Sequence, residues 1–153
     1  MSKGKKFKVL LDTSFILPTL GIEVNERVLN GLKKLRDISS EIFVSRFNIL
    51  EALWVSIRLI KAKKFNQKRF LMGLESIFEG KRYSFIDESY TVFKKALKFY
   101  ILGHEDMIDN LLYAISLEQD LLFLTIDDEL REFIRENNLK DTTVYPEEID
   151  ELL

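Results

Sequence analysis

The chain has no cysteine, one histidine and two prolines among its 153 residues. Without cysteine there is no disulfide framework and no thiolate metal site. With His104 as the only imidazole, a multi-histidine zinc site is excluded, and a Ser-His-Asp arrangement could use that one residue alone. Proline and glycine together number eight. They form no linker or low-complexity stretch, so residues 1–153 read as a single domain of ordinary size. No apolar run is long enough to span a bilayer. The basic leader at residues 1–6 runs into a short strand-like segment and not into a signal peptide. Together these features lead us to expect a soluble cytoplasmic protein with no membrane partner.

What is present is nearly half apolar, enough for one core. The net charge of −2 predicts no partner, but its distribution is uneven. Residues 55–74 hold six bases (Arg58, Lys61, Lys63, Lys64, Lys68 and Arg69) and no acid. Residues 141–153 hold five acids and no base. A basic patch beside an acidic body is one reading; ordinary solvated helix faces are the other.

Short apolar runs at residues 7–12, 41–44, 83–86, 121–125 and 143–145 read as strands. Between them lie helical periods at residues 23–37, 46–63, 67–78, 88–102, 106–119 and 127–137. A short helix from Ser14 is interrupted by Pro18 and Gly21, and Pro146 opens a terminal turn. The alternation predicts an α/β fold with a mostly parallel sheet between helical layers. Trp54 is expected in the core, and residues 61–66 form a break between two helices.

Four carboxylates, Asp12, Glu51, Asp109 and Asp127, stand at strand ends or on helices. In an open parallel sheet, ligands bind at the carboxyl edge of the strands. Four acids converging there would repel unless a cation sat between them, and an all-oxygen donor set suits Mg²⁺ or Mn²⁺. Each acid also has a plainer reading. Asp12 and Asp127 could be helix N-caps, Glu51 could pair with Arg58 two turns on, and Asp109 could simply favour a helix N-terminus.

The order of these residues is more specific than any one of them. Asp12–Thr13–Ser14 ends the first strand. Glu51 follows on a helix, then Asp109–Asn110–Leu111–Leu112–Tyr113–Ala114, then Thr125–Ile126–Asp127. This series resembles the PIN-domain nucleases, including single-domain VapC-type toxins, over residues 7 to about 145. Ile126 stands where many relatives carry arginine. The resemblance implies a PIN-like three-layer α/β/α sandwich and a metal-dependent endoribonuclease, with the toxin role of a toxin–antitoxin pair as one setting. It implies Asp12, Asp109 and Asp127 as ligands of Mg²⁺ or Mn²⁺, Glu51 as a ligand or water positioner, and Ser14 and Thr125 as supporting hydroxyls. It also suggests that residues 46–79 form a protruding helical pair whose bases, Arg58 to Arg69, hold RNA phosphates. Phe65 is a stacking candidate beside them. A small antitoxin and a second copy of the chain stand as candidate protein partners.

The chemistry is consistent with these residues, because carboxylate-held Mg²⁺ can neutralise a phosphodiester without a protein nucleophile. A P-loop is absent, since residues 11–14 are not a glycine-rich Lys-Ser/Thr turn. Ser14 stands where a haloacid-dehalogenase-like phosphatase would have its second aspartate, and a middle-strand phosphoacceptor aspartate of a receiver domain is missing. An RNA-processing PIN protein, or a binding subunit of the same architecture without catalysis, is the remaining alternative.

Overall fold

The structure, a computed structural model, describes residues 6–152. The leader expected at residues 1–6 thus lies outside the described residues except for Lys6. Five short strands, β1 (Phe7–Leu11), β2 (Ser40–Val44), β3 (Tyr83–Phe85), β4 (Leu122–Leu124) and β5 (Thr143–Val144), form one sheet. Their order is β3-β2-β1-β4-β5 and every pairing is parallel. Successive residues of a strand face opposite sides. Val9 and Leu11 enter one apolar core while Leu10 enters the other, and Leu124 and Phe123 divide in the same way. Both faces are therefore covered at Val9, Leu10 and Leu11, which is why these three are apolar in succession.

Six helices supply the covering layers: α1 (Glu26–Asp37), α2 (Arg46–Lys61), α3 (Gln67–Glu79), α4 (Tyr90–Ile101), α5 (Met107–Glu118) and α6 (Asp128–Glu136). The first core gathers side chains of α1, α3 and a terminal 3-10 segment (Pro146–Leu152); the second gathers those of α4, α5 and α6. The expected α/β/α sandwich is thus the architecture of the chain. Most helices start at a side-chain cap: Asn25, Ser45, Asn66, Asp106 and Asp127 each accept a backbone N–H. The Asn25 cap explains why α1 begins at Glu26 and not at residue 23. At residues 13–20 there are two 3-10 turns, Thr13–Phe15 and Pro18–Leu20. Gly73 lets α3 lie directly on the second turn, because a β-carbon there would collide with the Thr19 carbonyl oxygen.

One expectation is overturned in α2. Trp54, read as core, is 47% exposed, with Leu50, Leu53, Ile57 and Ile60 also at the surface. The helix buries the stripe Asn48, Ala52 and Ser56 instead. An apolar residue occurs on nearly every side of α2, so periodicity could not choose its inner face. Close approach chose the small side chains.

The acidic tail also resolves into particular partners. Glu147 pairs with Arg27, Asp150 with Lys34, and Glu148 with the buried Arg131. Tyr145 lies between the Arg27 and Arg131 guanidinium groups, 4.8 and 3.5 Å from its ring centre. These contacts tie the terminal segment to α1 and α6.

Candidate active site

The chain runs from β1 outward to β2 and β3, then crosses back to place β4 on the other side of β1. Such a reversal opens a crevice at the carboxyl ends of the two central strands. Asp12 follows the end of β1, and its backbone N–H donates to the Leu124 carbonyl at 2.9 Å. Its carboxylate is held on both oxygens. Oδ1 accepts from the Thr13 amide at 2.7 Å, and Oδ2 accepts from the Thr125 hydroxyl at 2.6 Å. The fully buried Thr125 also accepts the Asp127 amide at 3.1 Å. Asp127 caps α6, taking the Leu130 amide at 3.1 Å.

Helices bring the other two acids. Asp106 caps α5 by accepting the Asp109 amide at 3.0 Å, which places Asp109 in the first turn. Asp109 is buried and shares a hydrogen bond with Asp127. Glu51 is half-buried on α2, close to the Thr13 hydroxyl, and its charge acts on Asp12. Asp12 also feels Asp127, and Asp109 feels Asp12 and Asp127. Four acids distant in sequence are therefore electrostatic neighbours.

Burial is the main force on their protonation. It pushes Asp12 up to about 7, against the lowering hydrogen bonds from Thr125 and Thr13 and with the charges of Glu51 and Asp127. Burial also raises Asp109, and the neighbouring Asp127, Asp12 and Asp106 push it in the same direction. Glu51 is raised by burial, with Thr13 and Arg58 opposing. Burial acts upward on Asp127 as well, but hydrogen bonds from Asp109 and the Leu130 amide outweigh it and the net direction is down.

The consequence for stability has a definite sign. Between its ordinary value of 3.8 and about 7, Asp12 has lost its proton in the unfolded chain but keeps it in the folded one. Its contribution is full below about pH 4 and is lost as pH rises through about 7. Asp109 and Glu51 act in the same direction. The metal-free protein is expected to melt at lower temperature as pH rises from about 4 to about 7, and Asp12→Asn should flatten that slope. A melting temperature that climbs steadily across this window would contradict the protonation order.

Among the described residues, none of the four acids forms a salt bridge with lysine or arginine. Buried like charges without a basic partner are costly, and a hard cation would relieve them through oxygen donors alone. The donor set thus fits Mg²⁺ or Mn²⁺ in kind. In the arrangement described, no three Asp, Glu or His side chains are grouped to hold a metal ion among the described residues. Asp109 and Asp127 act on each other's protonation instead.

Two residues beside the acids carry little signal in the sequence. Thr13 is simply the middle of the Asp12–Thr13–Ser14 run. Asn48, fully buried, donates to the Leu11 carbonyl and to the Thr13 hydroxyl oxygen, both at 3.1 Å. The only signal for Asn48 was the Ser45-x-x-Asn48 spacing of a helix start. Ser14 is half-buried in the first 3-10 turn. His104 is buried and bonded to Asn110 at 2.7 Å.

The basic residues divide. Arg58 is exposed on α2 and near enough to Glu51 for its charge to act there. Lys61, Lys63, Lys64 and Lys68 are exposed around the α2–α3 connection. Arg69 is committed elsewhere, since its guanidinium donates to the Thr19 and Pro18 carbonyls at 2.9 and 3.3 Å. Phe65 is half-buried and packs on Phe70, with ring centres 5.4 Å apart.

No family model matches the sequence, and no curated protein matches it. Solved structures do share its fold. A toxin-antitoxin complex from Klebsiella pneumoniae superposes with a TM-score of 0.55 at 12% identity, over 90% of this chain and 97% of that one. VapBC2 from Rickettsia felis, bound to a DNA fragment from its promoter, gives 0.58 at 16%, over 90% and 98%. FitAcB from Neisseria gonorrhoeae gives 0.56 at 21%, over 90% and 97%. At these identities the likeness is one of fold, and the fold is the PIN-like sandwich expected from the sequence.

Proposed function

We propose that the protein is a metal-dependent endoribonuclease and the toxin of a toxin–antitoxin pair. The observation that carries the reading is that Asp12, Glu51, Asp109 and Asp127 act on one another's charge near the carboxyl ends of β1 and β4, two of them buried, none with a salt bridge among the described residues. Asp12, Asp109 and Asp127 would hold Mg²⁺ or Mn²⁺, with Glu51 as a further ligand or as the group that positions water. The cation, when bound, supplies charge neutralisation at the phosphodiester and lowers the pKa of water. Thr125 and Thr13 keep Asp12 fixed and limit its protonation. Thr13 and Arg58 favour the charged form of Glu51, the form able to accept a proton from water. Asp127 is held by the α6 amides at the helix N-terminus, where negative charge is favoured.

RNA contact would fall to Arg58, Lys61, Lys63, Lys64 and Lys68, which are exposed. Arg69 remains outside this set because the turn carbonyls occupy its guanidinium. Replacing Lys63, Lys64 and Lys68 by Ala should weaken RNA binding evenly across sequences and reduce the salt slope by about 2. Divalent binding should be unchanged. Unaltered RNA affinity together with a changed mass in solution would instead mark this segment as a protein interface.

Partner binding has its own support. The Klebsiella neighbour is a toxin-antitoxin complex. Here α2 exposes Leu53, Trp54 and Ile57, and α4 exposes Phe93, Leu97 and Ile101. Exposed apolar side chains of this kind suit a protein contact. Arg58, Lys61, Lys94 and Lys98 lie on the same helices, a charge that suits an acidic antitoxin segment.

A further inference from the structure

We propose that Asn48 is a positioning residue that sets the separation of Asp12 and Glu51. Its amide grips the chain on both sides of Asp12. One N–H reaches the Leu11 carbonyl just before it, and the other reaches the Thr13 hydroxyl just after it. The amide oxygen accepts the Ser45 N–H at 2.8 Å, closing the first turn of α2. Glu51 lies three residues further along the same helix, about one turn on and on the same side. A single planar group thereby locks the end of β1 to the helix that carries Glu51.

The orientation of that group is not interchangeable. A flipped amide would set oxygen against the Leu11 carbonyl and N–H against the Ser45 N–H, and both contacts would be repulsive. Asn48 is fully buried, so no water competes for these bonds. Its N–H also occupies a lone pair of the Thr13 oxygen. The Thr13 hydrogen is then left to point elsewhere, and Thr13 favours the charged form of Glu51. A helix cap alone would need only the bond from Ser45. The two bonds to the Asp12 loop are what a spacer between the two acids requires.

The inference rests on the ribonuclease reading only for its activity measurement. The variants are Asn48→Leu, Thr13→Val, their double, and Thr13→Ser, which keeps the hydroxyl. Should Asn48→Leu fail to fold through loss of the cap, Thr13→Val against Thr13→Ser decides alone. In metal-free protein, NMR should show the side-chain carboxyl carbon resonances of both Asp12 and Glu51 displaced in Asn48→Leu and in Thr13→Val. The double variant should move them no further, and Thr13→Ser should stay near wild type. RNA turnover should fall roughly tenfold or more while KM moves less than about threefold, since a misplacement of about 1 Å can cost on the order of 10²-fold. Unmoved resonances with a lowered melting temperature would overturn the proposal and leave Asn48 and Thr13 as fold-stabilising groups only. Displaced resonances in a protein whose wild type cleaves no RNA would sink the ribonuclease reading and leave the positioning role intact.

Discussion

Asp12→Ala is expected to fold and to lose RNA cleavage by roughly 10³-fold or more, equivalent to about 4 kcal/mol of transition-state stabilisation. Two opposing effects keep the variant folded. Losing the carboxylate leaves the Thr125 hydroxyl and the Thr13 amide without their acceptor, at a cost of about 1–3 kcal/mol each when buried. It also removes a buried acid whose pKa is pushed up to about 7 and which destabilises the metal-free protein on the order of a few kcal/mol at neutral pH. The activity effect has no such compensation, because Asp12 is held by both threonines and feels the charges of Glu51 and Asp127. Circular dichroism and a cleavage assay on the same preparation check both halves. A folded variant that retains more than about a tenth of wild-type cleavage would remove Asp12 from the chemistry.

Asp109→Asn should move stability in the other direction. Asp109 is buried with its carboxyl raised, so at neutral pH the folded chain must keep a proton that the unfolded chain has released. An amide has no such requirement, and its N–H can still donate toward Asp127. The metal-free variant is expected to melt roughly 5 °C or more above wild type at pH 7.5, taking about 2–4 °C per kcal/mol for a chain of this size. With Mn²⁺ the order should reverse. Wild type gains about 2.7 kcal/mol at a hundredfold excess over Kd, whereas the variant, missing one ligand, gains little. A large drop in metal-free melting temperature would identify Asp109 as a structural hydrogen-bond partner and demote it as a ligand.

The sequence showed the layers and strands because both faces of this sheet are buried. Residues 9–11 and 121–124 are therefore apolar without alternation, and the intervening helices carry their own period. It also ordered the four acids, since each has a local position that the fold preserves: a strand end, a helix start or a helix face. Relations between elements were not legible. Trp54 lies on a helix that is apolar all round, and only packing reveals that Asn48, Ala52 and Ser56 face inward. Arg69 reads as one more base in a basic run until Pro18 and Thr19 are folded against it. Thr13 and Asn48 are 35 positions apart, and nothing periodic connects them. The acidic run at residues 141–153 names no partners by itself, yet four of its five acids pair with bases on α1 and α6.

The most direct test of the central claim is cleavage of a single-stranded RNA by the wild-type protein, first in EDTA and then with Mg²⁺ or Mn²⁺ restored. Internal cuts that disappear in EDTA and return with the cation are the predicted result. Cleavage that persists undiminished in EDTA, or RNA that is bound but left whole at every cation concentration, would contradict it.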